Sequence, residues 1–224
     1  MKDKNYNIIL EYIKEKIENN TLKPGEKIET ERDLAEKLNL SRTTVREALK
    51  VLTAMGITNC IQGSGYYLKD NFKDSLFENF NLFFLLTGQN VSDLIDFREG
   101  IEIKAFELAL TNIKDEDLIK IDTIFKDLKN AASEDESSLL DAEFHRAIVE
   151  ASHNIFFISL YNSSRLTLEK FIKNIRISIL KNSNNKDILL KHHKIIYQAL
   201  IEKNLDLGRE VIKEHFLLMK KNIF

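Results

Sequence analysis

Glycine and proline break this 224-residue chain in its first third and almost nowhere else. Pro24, Gly25, Gly56, Gly63 and Gly65 fall before residue 71, whereas only Gly88, Gly100 and Gly208 follow. Proline lacks a backbone donor and glycine admits left-handed turns, so neither favours a helix interior. The front must therefore be a unit of short elements and turns, and the long remainder reads as nearly continuous helix. At roughly 150 residues per domain, this length holds one large domain or two small ones.

In the front part, Ile8, Ile9, Tyr12, Ile13 and Ile17 follow helical spacing up to the turn at Lys23-Pro24-Gly25. A second helix opens at Thr30, with Asp33 three residues on as in a capping box, and buries Leu34, Ala35 and Leu38. Ser41 is the N-cap of a third helix whose inner face is Val45, Ala48, Leu49 and Leu52. Two β-prone segments, Ile57 to Ile61 and Tyr66 to Leu68, are joined by Gln62-Gly63-Ser64-Gly65 as a hairpin. Three helices and a two-stranded wing make a winged helix-turn-helix, expected over residues 1–69, with a linker at 70–74.

Residues 75–224 read as an all-α bundle of six or seven amphipathic helices, near 73–87, 92–111, 115–131, 138–152, 154–181, 187–203 and 205–222. In the second of these, Leu94, Phe97, Ile101, Ala105 and Leu108 form a row at steps of three and four. The acidic, serine-rich run Ser133 to Ser138 reads as an exposed connection between helices. Phe72, Phe77, Phe80, Phe83 and Phe84 are candidates for packing between domains or subunits, or for ordinary core.

Composition narrows the chemistry. With 43% hydrophobic and 30% charged residues the chain is neither disordered nor a coiled rod. Cys60 is the single cysteine, which excludes a disulfide framework and any zinc site built on cysteine pairs. There is no run of about 18 apolar residues and no apolar leader after Met1, so a cytoplasmic protein without a membrane anchor is expected. The net charge of -2 advertises no bulk attraction to nucleic acid, so local clusters must supply it.

One such cluster lies on the third helix. Arg42, Arg46 and Lys50 recur at intervals of four, opposite the buried face. A helix docked by one face with guanidinium forks on the other suits the major groove, where arginine reads guanine edges. Arg32, one helix earlier, is placed to meet the backbone or a base, and the thin Gly63-Ser64-Gly65 wing can approach a groove closely. Taken by charge spacing alone, the same arginines could be a solvated face paired with Glu47 or Glu36.

All five histidines lie in the helical part. Asp141 and His145 are four apart on one helix and share a face, while His193 and His215 sit among apolar neighbours in two later helices. One carboxylate and three imidazoles would suit Zn, Ni or Mn. Spacing alone equally allows hydrogen-bonded core histidines. His153 and His192 read as surface or capping residues. Arg98 could clamp an organic carboxylate, or form a salt bridge to Glu102 one turn on.

The stretches Leu22-Lys23-Pro24-Gly25-Glu26-Lys27-Ile28, Glu31-Arg32-Asp33-Leu34-Ala35, Leu40 to Leu49 and Gly63-Ser64-Gly65 resemble the N-terminal domain of GntR-family transcriptional regulators. The resemblance implies that Arg32, Arg42, Thr44, Arg46 and the wing glycines contact operator DNA, with Ser41, Thr43 and Ser64 beside them. Asp141-Ala-Glu-Phe-His145, Ser152-His153-Asn154, His193 to Leu200 and Gly208 to His215 are similar to the ligand domain of the FadR subgroup, the FCD domain. That likeness implies a divalent cation on Asp141, His145, His193 and His215, and an effector arginine at Arg98. His192 departs from it, standing where an acidic residue is common.

The whole describes a homodimeric, ligand-responsive repressor that reads a short pseudo-palindrome of double-stranded operator DNA and releases it on binding a small organic carboxylate. A metalloregulator sensing the ion itself is an alternative, and a metal-dependent hydrolase a remote one, since no general base stands beside the ligand set.

Overall fold

The computed structural model describes residues 2–70, 83, 86, 90–180 and 183–223, and the chain divides into two compact units, Met1–Leu76 and Phe77–Phe224. The expected helix at 73–87 apart from residues 83 and 86, most of the linker, and Phe72, Phe77, Phe80 and Phe84 lie outside the described residues; Phe83 is exposed.

The first unit runs α1 (Lys2–Glu18), α2 (Glu31–Leu38), α3 (Arg42–Ala54), β1 (Thr58–Ile61) and β2 (Gly65–Leu68). Ile9 and Ile13 of α1, Leu34 of α2 and Val45, Leu49 and Leu52 of α3 are essentially withdrawn from solvent and form one core. Each such side chain contributes about 1.5–3 kcal/mol of burial. Thr30 caps α2 by accepting from the Asp33 amide at 3.2 Å, while Asp33 takes the Thr30 hydroxyl rather than completing a full capping box. Asn39 in the left-handed region, at φ 52°, ends α2, and Ser41 begins α3 two residues later. That brevity is what sets the two helices as a helix-turn-helix.

The wing pairs antiparallel from Thr58 opposite Leu68 to Ile61 opposite Gly65. Its turn needs glycine: Gly63 and Gly65 have φ of 76° and 117°. The segment after Pro24 also joins the sheet, since Ile28 donates to the Tyr66 carbonyl at 2.8 Å and Leu68 to that of Glu26 at 2.9 Å. Sequence periodicity, read strand by strand, does not register so short an addition.

The second unit contains α4 (Val91–Asn112), α5 (Asp115–Asn130), α6 (Glu134–Ala151), α7 (Ile155–Leu180), α8 (Ser183–Ile201) and α9 (Leu205–Lys220), with no strand among the described residues. Nor is any described helix long and apolar enough to cross a membrane. The acidic run is not a connection: Ser133 accepts from the Glu136 amide at 3.2 Å and α6 begins at Glu134. Glu134, Asp135 and Glu136 fill its first turn, where carboxylates suit the positive end of the helix dipole.

Helix α4 lies at the centre, against α6, α7, α8 and α9. Its buried stripe runs Leu94, Ile95, Arg98, Ile101, Glu102, Ala105, Phe106 and Ala109, so two charged residues sit in line with the apolar ones. Against it, Gly208 of α9 allows a close approach: a Cβ there would stand 2.1 Å from the Phe106 ring.

Candidate functional site

The exposed side of α3 carries Arg42, Thr43 and Arg46. Ser41 Oγ accepts from the Thr44 amide at 3.1 Å and lies 2.8 Å from the Thr44 hydroxyl, so these two predicted contacts hold each other at the helix start. Arg46 is clamped by Glu31 of α2, its Nε at 3.0 and 3.1 Å from the two carboxylate oxygens and its Nη2 at 2.8 Å. The Arg46 hydrogen bonds in turn hold the Glu31 carboxyl below its usual range against the opposing effect of partial burial. Lys50 pairs with Glu47 at 3.0 Å. Arg32 and Arg42 make no ion pair among the described residues. They line one depression of about 410 Å³ together with Ser64, Gly65 and Tyr66. The geometry thus gathers α2, α3 and the wing on one face, with Gly63 exposed at the turn and Ser64 tied to the Tyr67 hydroxyl at 2.6 Å.

In the helical unit, α6, α8 and α9 bring His145, His193 and His215 into one buried cluster whose donor atoms all lie within 4.8 Å of one another. The three are 1–2% exposed. His145 Nε2 stands 3.1 Å from His193 Nε2, and Asp141 Oδ1 stands 3.0 Å from that same His193 nitrogen. Three of the four residues expected as ligands, the histidines, are therefore gathered within reach of one ion, and Asp141 stands beside them against His193. Phe144 walls the cluster, its ring edge-on to His145 and His193 at 5.8 and 5.2 Å.

Electrostatics favour the donor forms. Burial, with the neighbouring imidazoles, pushes His215 well below the usual histidine range, and burial lowers His193 despite Asp141. Burial alone would raise the Asp141 carboxyl, but His193 and Arg176 hold it well below the ordinary value. Neutral His193 and His215 beside an ionised carboxylate suit a borderline divalent cation. His215 Nδ1 is moreover buried without a hydrogen-bond partner among the described residues. The residues fit a divalent ion.

Several groups around this cluster were not foreseen. Arg176 of α7 donates to Asp141 Oδ1 at 2.8 Å and to the Ser137 hydroxyl at 2.6 Å. Nothing in its local sequence marks it, because the partners lie far away in the chain. Glu102 accepts from His145 Nδ1 at 2.6 Å and also pairs with Arg98, whose Nη2 is 3.3 Å from the Tyr161 hydroxyl. Arg98 is thus buried and salt-bridged, the second of its two expected roles, one helical turn from the histidine cluster's carboxylate partner. The four-residue spacing to Glu102 was the available signal for that contact.

His153 does cap: it ends α6 at φ 49° and its Nε2 lies 2.7 Å from Asp117 Oδ2. His192 corrects the reading, being 8% exposed with its ring 6.0 Å from that of His215. The cause is the width of the buried face of α8, which packs on α4, α5, α7 and α9 together.

A winged helix-turn-helix and an all-helical domain with a buried donor cluster, carried on one chain, define a DNA-binding transcriptional regulator. The model for bacterial regulatory proteins of the gntR family matches residues 5–68, and that for the FCD domain matches residues 93–218. The chain belongs to the GntR family, with an FCD domain as its second part. It is 32% identical to the HTH-type transcriptional regulator LutR of Bacillus subtilis, over 84% of this chain and 87% of LutR. It is 28% identical to the Glc operon transcriptional activator of Escherichia coli K12, over 96% of this chain and 87% of that one. A solved Streptococcus agalactiae GntR shares the fold across the whole of both chains, with a TM-score of 0.65 at 24% identity. These families and relatives are regulators rather than enzymes, and GntR regulators bind operator DNA.

Proposed function

We propose that the protein is a homodimeric, effector-responsive repressor, with a DNA-binding domain at 1–69, a linker at 70–74 and an effector and dimerisation domain at 75–224. Arg32, Arg42, Thr43, Thr44 and Arg46, with the Gly63-Ser64-Gly65 wing, would read a short pseudo-palindromic operator, with Ser41 holding the start of the reading helix. The gathering of Arg32 and Arg42 beside Ser64 and Gly65 of the wing, with no ion pair to either arginine among the described residues, supports this assignment. Two such faces related by a two-fold axis match a palindrome half-site by half-site.

The observation that carries the sensory half is the convergence of His145, His193 and His215 in a buried centre, with Asp141 against His193. These four would hold a divalent ion, zinc, nickel or manganese, which when bound supplies Lewis-acid positions for a ligand oxygen. Arg98 would offer its guanidinium to the carboxylate of a small organic acid. An effector releases DNA only if it binds the two states of the dimer with different affinity.

The test begins with elemental analysis of the dialysed protein beside His145→Ala. Small carboxylates are then screened by thermal shift with metal present and removed. Stoichiometric metal lost in the variant, and a carboxylate that stabilises only the loaded form and releases operator DNA in a mobility-shift assay, is the expected result. Metal absent from both proteins, or a carboxylate that tightens operator binding, overturns the cation site or the repressor sign respectively. An ion that dialyses away and by itself switches DNA binding marks a metalloregulator instead.

A further inference from the structure

Glu102 occupies a place that neither the ligand set nor the effector arginine explains. It is 4% exposed on α4, and its two oxygens point to different partners. Oε2 lies 2.6 Å from His145 Nδ1, and Oε1 pairs with Arg98 Nε. His145 turns its other nitrogen, Nε2, toward His193 at 3.1 Å. An unbroken chain of contacts therefore runs from Arg98 through Glu102 and His145 into the donor cluster. All three side chains are at most 4% exposed, so water does not screen it.

An imidazole that gives its Nδ1 proton to a carboxylate is fixed in one tautomer and one ring orientation, with the Nε2 lone pair free for a cation. The carboxylate also makes the ring a stronger donor, the more so the less its charge is shared elsewhere. Arg98 takes a share of that charge.

Resting on the metal and Arg98 assignments above, we infer that Glu102 is a positioning residue coupling the two subsites. It sets His145 for the cation, and the pull of an incoming carboxylate on Arg98 returns charge from Arg98 to His145. The direction of the coupling follows: occupancy at Arg98 strengthens cation binding, and by reciprocity the cation strengthens occupancy at Arg98.

The test uses zinc as the probe, the full-length chain, and competition against a chromophoric chelator. Glu102→Gln keeps the size of the side chain and removes its charge, and is expected to weaken zinc about 10–100-fold. Arg98→Gln is expected to tighten zinc in the wild-type background and to lose most of that effect when combined with Glu102→Gln, the signature of a coupled pair. Histidine-selective ¹⁵N NMR of the metal-free wild type is expected to place the His145 proton on Nδ1, a readout that needs no variant to fold.

Unchanged zinc affinity in Glu102→Gln, additive effects in the double variant, or a His145 proton on Nε2 would each overturn the coupling while leaving the cation site intact. Failure of the wild type to bind zinc, nickel or manganese would overturn the cation site itself, and the coupling with it.

Discussion

Arg46, on the helix proposed to read DNA, is held by Glu31 of the preceding helix through both carboxylate oxygens. A guanidinium so engaged must exchange a carboxylate for a base edge or phosphate when DNA arrives. Arg46→Ala is expected to weaken operator binding by about 1–3 kcal/mol. Glu31→Gln, which removes a negative charge from the approach path, is expected to strengthen binding to random duplex and narrow the gap to operator. Fluorescence anisotropy with both duplexes at two salt concentrations measures each effect. Unchanged random-duplex affinity in Glu31→Gln would mean that the clamp plays no part in discrimination.

Glu29 gives the first unit a defined acid sensitivity. Partial burial would raise its carboxyl, but Lys16, Tyr12 and Lys37 lower it to about 2 from an ordinary 4.5. Because the folded value lies below the unfolded one, its stabilisation is present above pH 4.5 and is lost as pH falls toward 2. With its lysine partners partly exposed, the contribution is about 1–2 kcal/mol. Glu29→Gln should lose that much at pH 7, and the difference from wild type should shrink below pH 4.5. Denaturant titrations at pH 7 and about pH 3, followed by circular dichroism, provide the comparison.

The close approach of α9 to α4 predicts an unusual cost for a small substitution. Alanine in place of Gly208 gains up to about 1 kcal/mol of helix propensity. Its methyl group, however, would stand 2.1 Å from a ring carbon of Phe106, which is fully buried and has nowhere to go. Net destabilisation of about 1–3 kcal/mol is expected, and Phe106→Leu in the same chain should restore part of it. Thermal melts of the single and double variants decide the matter; a Gly208→Ala protein as stable as wild type would show that the helices can slide apart freely.

Removal of the divalent ion should cost stability without erasing the helices, because an apolar core from Leu94 to Met219 encloses the cluster. At a free metal concentration of 100 times Kd, linkage gives about 2.7 kcal/mol, or a fall in Tm of about 5–10 °C on chelation. Calorimetry before and after chelation, with zinc added back, tests this. A melting temperature indifferent to chelator would argue that these histidines serve the core alone.

The elements were legible because their punctuation is local. Ser41 starts α3 and Gly63 turns the wing for reasons contained within a few residues of each. Asp141 and His145 were also legible, since one helix fixes their spacing. The surroundings were not. Glu102 and Arg176 are charged residues in buried stripes, which a hydrophobicity pattern reads as surface, and their partners are set by helices brought together only in the folded domain. His192 misled for a related reason: a helix packed against four others buries residues that a two-sided pattern leaves outside.

Arg98, Asp141, Arg176, His193 and His215 come from five helices, and more than half the chain's length separates the first from the last. No partial chain lacking α9 possesses the complete cluster. Because His215 can join only after the long loop to α9 has closed, completion of the centre falls late in folding, so an ion reports on a finished domain and offers little help to a nascent one.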